Sequence, residues 1–251
     1  MSAMQSFGET RDVIVAGDHE QTIKYCTEHF IAAAKQALAD HDFFTVALSG
    51  GSTPKEIFNR LTSSENRSKI DWSKVRLFWS DERTVGPDHP DSNYKMAMDA
   101  GFNHVGVLKE NIFRMVGESN IEENALAYEN IIREKVADGS FDYIMLGMGN
   151  DGHTASLFPR THGLHSLDRT VIANFIPSLE AWRLSLTYEC INKSKIVVIY
   201  VLGTGKSSML RKVLIEDYQP DVLPIQKIGT PEHRALWIVD NEAAKDLNSD
   251  S

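Results

Sequence analysis

This sequence has little cysteine, no surplus of positive charge and no long apolar run, and each shortage argues against a class of protein. Two cysteines, Cys26 and Cys190, occur among 251 residues, and neither belongs to a CxxC pair that would indicate a metal or redox site. The formal net charge of −9 argues against a broad surface for nucleic acid or anionic membrane, although a single pocket can still be positive.

The apolar residues are spread in short runs. No run approaches the ~18 residues that a membrane helix needs, and the first residues lack the basic and then apolar pattern of a signal peptide. We therefore expect a cytoplasmic protein with both cysteines in its core and with no nucleic-acid or membrane partner. The patterning shows no exposed apolar stripe, so a monomer is expected.

These short runs alternate with helical stretches along the whole chain, without a long linker, a repeat or a low-complexity segment. The apolar runs predict strands over 12–17, 44–50, 75–81, 142–148, 195–203 and 235–240. Apolar residues at spacings of three and four predict helices over 20–39, 122–138 and 206–216. Several strands are nearly continuous in Val, Ile and Leu, so both faces of the sheet should be covered. The sequence therefore predicts a single α/β domain over 1–251, with a mostly parallel, Rossmann-like sheet between two layers of helices.

The loop after the second predicted strand, SGGSTP at 49–54, is a candidate binding site, because ligands of parallel sheets bind at the carboxyl ends of the strands. Thr53 with Glu56 three residues later forms a capping-box pattern, and Pro54 suits the first helical position. Such a helix start offers free N–H groups to a phosphate, without the lysine of a Walker motif. The candidate phosphate-binding residues are Gly50, Gly51, Ser52 and Thr53. A plain strand-to-helix turn explains the pattern equally well.

Two further loops after predicted strands carry a cation. Arg83, in SDERTV, has a planar fork that suits a phosphate or carboxylate, although this motif alone is better explained as a surface ion pair. Lys206, in LGTGKSSML, opens a helix and suits an anion, with an ordinary exposed lysine as the alternative. This loop is not a nucleotide P-loop, because Tyr200 replaces the glycine required five positions before Gly205. Another helix start is expected within 91–93, where the sequence reads DSN.

The stretch LGMGNDGHTASLFP at 146–159 matches the spacing G-x-G-x-x-G of dinucleotide-binding loops. It lies mid-chain, no clear strand ending in an acidic residue follows about 20 residues later, and Asp151 would face the phosphates. A catalytic interpretation suits it better, because histidine titrates near neutrality and His153 can act as a general base held by Asp151. A structural turn with a hydrogen-bonded histidine is the alternative. The three anion-suited loops at neighbouring strand ends favour catalysis.

Six segments, taken in order, carry a resemblance to a known family. They are SGGSTP (49–54), WSDERTV (79–85), DSNY (91–94), LGMGNDGHTASLFP (146–159), RLSLT (183–187) and the helix start Gly203-x-x-Lys206. They resemble the 6-phosphogluconolactonase family over about residues 10–240. The resemblance implies hydrolysis of 6-phosphoglucono-δ-lactone to 6-phosphogluconate in the oxidative pentose phosphate pathway. This hydrolysis needs an activated water, a stabilised oxyanion and a phosphate clamp, so no metal and no redox cofactor are expected.

With this resemblance, we expect the candidate residues to take the following roles. His153 accepts a proton from the attacking water and later returns it to the ring oxygen, while Asp151 holds His153. The phosphate is bound by the loop residues Gly50, Gly51, Ser52 and Thr53, assisted by Lys206. Arg83 contacts either the phosphate or the developing oxyanion, and Arg183 matches a family position near the phosphate.

Two other functions stay open. Glucosamine-6-phosphate deaminases share the fold and a similar DGH motif, but they carry a glutamate a few residues after the histidine, whereas 154–159 here hold no carboxylate. A non-catalytic sugar-phosphate sensor is the third interpretation, although little room exists for a DNA-binding module before residue 12. Two nearby histidines, His162 and His165, match no standard metal spacing with His153, so a solvated loop is expected there.

Overall fold

The computed structural model describes residues 4–247, in which the predicted apolar runs form the strands of a central sheet. In chain order the strands are β1 (Met4–Phe7), β2 (Arg11–Val15), β3 (Phe44–Leu48), β4 (Val75–Trp79), β5 (Asp81–Arg83), β6 (Tyr143–Gly147), β7 (Val171–Ile176), β8 (Ala181–Leu186), β9 (Val197–Val201) and β10 (Ala235–Val239). The helices are α1 (His19–Asp40), α2 (Ser52–Leu61), α3 (Asn93–Ala97), α4 (Ile121–Lys135), α5 (Tyr188–Asn192), α6 (Ser207–Ile215) and α7 (Asn241–Ala244). The six predicted strands are confirmed, within a few residues of their expected bounds, as β2, β3, β4, β6, β9 and β10.

The order of the strands creates a crevice at one edge of the sheet. Within residues 4–247 this sheet has the order β1-β2-β10-β9-β6-β3-β4, and its strands pair in parallel except for β1. From β3 the chain crosses to β4 on one side, whereas from β6 it continues to β9 on the other side. The connections therefore diverge where β3 and β6 end, which is the point at which ligands bind in open parallel sheets.

Helices cover both faces of this sheet, as the sequence predicts. On one face Phe30 of α1 packs edge-on against Phe44 and Tyr143, with ring centroids 5.4 Å and 5.3 Å away. On the other face Tyr128 of α4 lies 6.0 Å from Phe78. Successive side chains of a strand point to opposite faces, so a strand buried on both sides is apolar throughout. The predicted three-layer α/β architecture is confirmed.

A second, antiparallel sheet of order β5-β8-β7 was not predicted. The sequence predicts one strand over 75–81, but that strand ends at Trp79 and Asp81 begins β5. Ser80 makes the break: its N–H donates to the carbonyl of Leu48 at 2.7 Å, while its own carbonyl accepts from the N–H of Leu186 at 2.8 Å. The backbone thus passes from one sheet to the other within a single residue, which places β5 beside the crevice.

The predicted capping box at Thr53 is wrong. Helix α2 begins at Ser52 with Gly51 as its N-cap, and within the described chain no side chain caps it. Gly51 has φ of +105°, a conformation that glycine adopts without strain. Glu56 lies away from the helix start and instead meets His19, whose Nε2 is 2.7 Å from the carboxylate. The first N–H groups of α2 are therefore left without a side-chain acceptor at the edge of the crevice.

The other predicted helices are present with small differences at their ends. Ser92 caps α3 by accepting from the N–H of Lys95 at 3.1 Å, which confirms a helix start within 91–93. Helix α4 ends at Lys135 rather than at 138, because Val136 has extended backbone angles and the chain then turns through Asp138 and Gly139 with positive φ. Both cysteines are buried, as expected, and burial raises the pKa of each thiol. Within residues 4–247 no helix has the length and apolar character needed to cross a membrane.

Candidate active site

A cavity of about 710 Å³ occupies the crevice between the ends of β3 and β6. Loops that follow three strands of the central sheet meet there, together with β5, α3 and the turn between β7 and β8. The lining residues are Ser49, Gly50, Gly51, Asp81, Arg83, Asn93, Gly147, Met148, Gly149, Asn150, Asp151, His153, Ala155, Phe158, Ser178, Leu179 and Lys206. The structure therefore brings the predicted anion-suited loops and the histidine loop to one space.

His153 and Asp151 form a close pair at the wall of this cavity. The Oδ1 atom of Asp151 lies 2.5 Å from Nδ1 of His153 and also accepts from its backbone N–H at 3.2 Å. The carboxylate fixes Nδ1 as the protonated nitrogen, which leaves Nε2 with the lone pair of a base. Partial burial raises the pKa of Asp151, but the hydrogen bonds from His153 outweigh it and hold that pKa below its usual value.

The glycines around this pair leave room for the imidazole of His153 and shape the turn that carries it. A Cβ on Gly149 would lie 2.1 Å from Nδ1 of His153, so only glycine leaves room for the ring. The N–H of Gly149 donates to the carbonyl of His153 at 2.8 Å, and Gly152 has φ of +80°. These contacts close a tight turn that presents the histidine. The pattern G-x-G-x-x-G thus arises here from packing around a side chain.

Lys206 links the loop after β9 to the histidine loop. Its Nζ donates to the carbonyl of Met148 at 2.8 Å and to Oδ1 of Asn150 at 2.7 Å. Burial lowers the pKa of Lys206, and the charge of Asp151 partly opposes this shift. The ammonium group therefore lies close to the His153–Asp151 pair and carries positive charge into the cavity.

The loop from Gly50 to Thr53 borders the cavity with backbone rather than with side chains. A Cβ on Gly50 would lie 1.9 Å from Oδ1 of Asn93, so the loop packs directly on α3. Gly50 and Gly51 line the cavity, whereas Ser52 and Thr53, in the first turn of α2, are not among the lining residues of the described chain. The uncapped first turn still brings the positive end of the helix dipole to this side of the cavity.

Arg83 and Arg183 lie side by side. They are direct partners in the antiparallel pairing of β5 with β8. Arg83 lines the cavity and donates from Nη1 to the carbonyl of Asp91, while Nη1 of Arg183 donates to the carbonyl of Trp182 at 2.9 Å. Burial, and then the charge of Arg83, lowers the pKa of Arg183. Two neighbouring guanidinium groups repel one another, and an anion beside them would relieve this repulsion.

Residues 17–237 match the family model described as glucosamine-6-phosphate isomerases/6-phosphogluconolactonase. The chain belongs to this family. The resemblance seen in the six sequence segments is thereby confirmed over most of the chain.

Individual relatives of known name match this chain over most of its length. The 6-phosphogluconolactonase of Chlamydia pneumoniae is 36% identical over 244 residues, which cover 97% of this chain and 93% of the relative. The one of Synechocystis is 36% identical, with 84% and 88% covered. Among solved structures, one described as devB protein has a TM-score of 0.85 at 28% identity, covering 94% of this chain and 98% of its own. The 6-phosphogluconolactonase of Thermotoga maritima has a TM-score of 0.79 at 27% identity, with 91% and 99% covered.

Two acidic residues of the segment SDER, Asp81 and Glu82, hydrogen-bond to the elements that line the cavity. Glu82 accepts from the N–H groups of Arg83, Asn93 and Tyr94, each at 2.8 Å, and burial raises its pKa against the effect of these bonds. Asp81 accepts from Oγ of Ser156 at 2.7 Å. These carboxylates join β5 to α3 and to the histidine loop, so they position the neighbouring groups.

Several cavity residues were missed by the sequence analysis. Asn150 and Asn93 lie inside the segments NDGH and DSNY, so their position beside candidate residues was an available signal. Ser178 and Leu179 lie on the turn between β7 and β8, which the sequence did not predict. The exposed His165 lies 3.6 Å from Asp221. Within residues 4–247 no group of three or more His, Cys, Asp or Glu side chains is placed to hold a metal ion.

Proposed function

We propose that this chain hydrolyses 6-phospho-D-glucono-1,5-lactone to 6-phosphogluconate, with His153 as the general base. The observation that carries the proposal is the His153–Asp151 pair at the wall of a cavity that also holds Arg83 and Lys206. Relatives that match most of this chain are named 6-phosphogluconolactonase, and that name states the same substrate class. The reaction belongs to the oxidative pentose phosphate pathway.

The proposed mechanism uses one histidine twice. Nε2 of His153 takes a proton from water as the water oxygen bonds to C1 of the lactone, and the carbonyl electrons move onto oxygen. When this tetrahedral intermediate collapses, the bond from C1 to the ring oxygen breaks, and the imidazolium returns the proton to the ring oxygen. The product carboxylic acid then ionises. Asp151 stabilises the imidazolium between the two steps, as a carboxylate bonded to Nδ1 does in hydrolytic triads.

Cationic and dipolar groups around the cavity supply the phosphate clamp. We assign phosphate binding to Gly50, Gly51, Ser52, Thr53, Lys206 and Arg183. Support comes from the uncapped first turn of α2 and from the close pairing of Arg83 with Arg183, both of which favour a bound anion. Arg83 contacts the phosphate or the developing oxyanion. Loss of affinity in Arg83→Gln would indicate the phosphate, and loss of kcat alone would indicate the oxyanion.

The competing deaminase function requires a carboxylate that this site lacks after its histidine. Aldose–ketose chemistry moves protons between carbon and oxygen, and residues 154–159, TASLFP, offer no group for that transfer. A non-catalytic sensor would need the phosphate clamp but no aligned base. The short bond between Asp151 and His153 therefore favours an enzyme over a sensor. The missing carboxylate favours lactone hydrolysis over deamination.

A coupled assay tests the proposal. Glucose-6-phosphate dehydrogenase generates fresh lactone, and 6-phosphogluconate dehydrogenase reports the hydrolysed acid, with spontaneous opening measured in a control without this protein. We expect clear acceleration by the wild type and a loss of ~10²–10⁴-fold in His153→Ala. The exposed His162 provides a matched control, because His162→Ala should keep full activity. If a folded wild type gives no acceleration, the proposal is wrong, and assays of deamination and of 6-phosphogluconate binding distinguish the other two functions.

We place this reaction in the reducing cytoplasm. The two cysteines are buried and unpaired, which suits a compartment that keeps thiols reduced. The partner we propose is the small sugar-phosphate lactone itself.

A further inference from the structure

The ring of Phe158 lies flat against the imidazole of His153. Their centroids are 3.9 Å apart and their planes differ by 17°. Phe158 lines the same cavity as His153, and it also borders a second cavity of about 480 Å³ beneath the histidine loop. The phenyl ring is thus part of the wall on which the proposed base rests.

His153 needs such a support because the bond to Asp151 holds a single ring atom. The Asp151 side chain is 48% exposed, and its carboxylate bonds to Nδ1 and to the backbone N–H of His153. One hydrogen bond at Nδ1 limits where the ring lies but leaves its plane free to tilt. A flat ring stacked on one face fixes the plane, and so it fixes the direction in which the Nε2 lone pair points.

Phe158 can serve as a platform because its own backbone is anchored. Its carbonyl accepts from Oγ1 of Thr161 at 2.8 Å and from the Thr161 N–H at 3.3 Å. Two residues earlier, Ser156 is bonded through Oγ to Asp81 and through its N–H to Ser185. These bonds tie the segment to β5 and β8 of the second sheet. The backbone that carries the phenyl ring is therefore held beside His153.

The face of an aromatic ring is negative, so it also stabilises a cation that lies on it. In the proposed mechanism His153 becomes an imidazolium while it holds the proton of the attacking water. Phe158 would then stabilise the charged form more than the neutral form. This effect adds to that of Asp151, which acts from the edge of the ring.

We propose that Phe158 is a positioning residue that orients His153 and stabilises its protonated form during lactone hydrolysis. The proposal rests on the proposed function, because it assigns Phe158 a part in the work of that base. The proposal gives Phe158 a role at His153 and no role in phosphate binding.

The test compares Phe158→Leu, Phe158→Tyr and the control Phe175→Leu, where Phe175 is a half-exposed residue of β7. In Phe158→Leu we expect kcat to fall about tenfold with KM within about twofold, because a tilted base affects the reaction rather than phosphate binding. The acidic limb of the kcat/KM profile should move to lower pH by about half a unit, because the imidazolium loses the aromatic face. Phe158→Tyr should restore both values, and Phe175→Leu should match the wild type.

The outcomes separate this inference from the proposed function. Unchanged kcat and an unchanged acidic limb in folded Phe158→Leu, beside an active wild type and an inactive His153→Ala, would overturn the role of Phe158 alone. A wild type without lactonase activity would instead overturn the proposed function. If Phe158→Leu unfolds, Phe158→Met replaces it, with the same expected fall in kcat and the same expected shift of the acidic limb. A fall in kcat without a moved acidic limb in Phe158→Met would reject the stabilisation of the imidazolium.

Discussion

Two aspartate–histidine contacts flank strand β6, one at each end. Asp142 precedes the strand, and its Oδ1 lies 3.0 Å from Nε2 of His41. Asp151 follows the strand, and its Oδ1 lies 2.5 Å from Nδ1 of His153. The Asp142 side chain is 5% exposed and that of Asp151 is 48% exposed. The same pair of residue types thus occupies different environments at the two ends of one strand.

The other partners of the two carboxylates explain the difference. Oδ2 of Asp142 accepts from the N–H and the hydroxyl of Thr45, both at 2.8 Å, and Oδ1 accepts from Nζ of Lys195 at 2.8 Å. Asp142 is thus saturated by donors that join three strand ends and stabilise the sheet. Asp151 bonds to His153 beside an open cavity. A short distance between Asp and His therefore does not by itself indicate catalysis, because the buried Asp142 is held by Thr45 and Lys195 whereas the exposed Asp151 lies at the candidate site.

The largest contrast should appear between Asp151→Asn and Asp142→Asn in lactonase assays. In Asp151→Asn the amide no longer stabilises the imidazolium, so we expect kcat to fall about 10²-fold or more while the fold is retained. The kcat per folded molecule of Asp142→Asn should stay close to that of the wild type. Equal losses in the two variants would contradict the division between a catalytic end and a structural end.

Stability should show the reverse contrast. Asp142→Ala leaves the N–H and hydroxyl of Thr45 and the ammonium of Lys195 without their acceptor, and we expect the free energy of unfolding to fall by about 3 kcal/mol. Asp151→Ala should change it by less than about 1 kcal/mol, because that side chain is half-exposed. Urea unfolding followed by circular dichroism measures both. A larger loss in Asp151→Ala would show that the exposed pair also supports the fold.

Two lysines sharpen the comparison further. Lys206→Met removes a cation from the cavity, so KM should rise about tenfold or more, since bonds between charged groups are worth more than neutral ones. Lys195→Met removes a donor from Asp142 and should lower the free energy of unfolding by about 1 kcal/mol without changing KM. Steady-state kinetics and urea unfolding on both variants test this. An unchanged KM in Lys206→Met would remove Lys206 from substrate binding.

A third histidine gives the smallest effect. Within residues 4–247 no ion pair joins His29 to a carboxylate; its Nδ1 lies 2.9 Å from the hydroxyl of Tyr143, and burial lowers its pKa. The folded state therefore takes up a proton less readily than the unfolded state. The contribution of the buried, neutral His29 to stability is complete above the unfolded pKa, near 6.5. This contribution is lost as the pH falls below that value. Urea unfolding at pH 7.5 and pH 5 should show this loss in the wild type and a smaller one in His29→Gln.

Much of the fold follows from the sequence because the central strands are buried on both faces. A strand such as β9, with VVIYV between two helical stretches, has a pattern that the rest of the molecule cannot easily override. The strand β5 is different, because DER is polar and short, and it pairs only when β8 lies opposite. Its existence depends on contacts about 100 residues away in the chain, which no local pattern contains.

The part of the candidate site that the sequence predicts is the part in which one short turn holds both catalytic candidates. The segment GNDGH places an acid and a histidine on one glycine-rich turn, and the structure brings His153 and Asp151 into contact there. Phe158 was not predictable, because stacking depends on how the turn after His153 folds back. The capping prediction at Thr53 failed for a related reason: α2 starts two residues earlier than predicted and leaves its first turn uncapped.

The most direct test of the account is a single turnover in H₂¹⁸O with this protein in excess over fresh lactone. If His153 activates water and Asp151 only holds His153, the product carboxylate at C1 carries one labelled oxygen and the carboxylate of Asp151 carries none. Both are read by mass spectrometry, the latter in the peptide that contains Asp151. Unlabelled product together with a labelled Asp151 would contradict the account, because it would make the aspartate a nucleophile that bonds to the substrate.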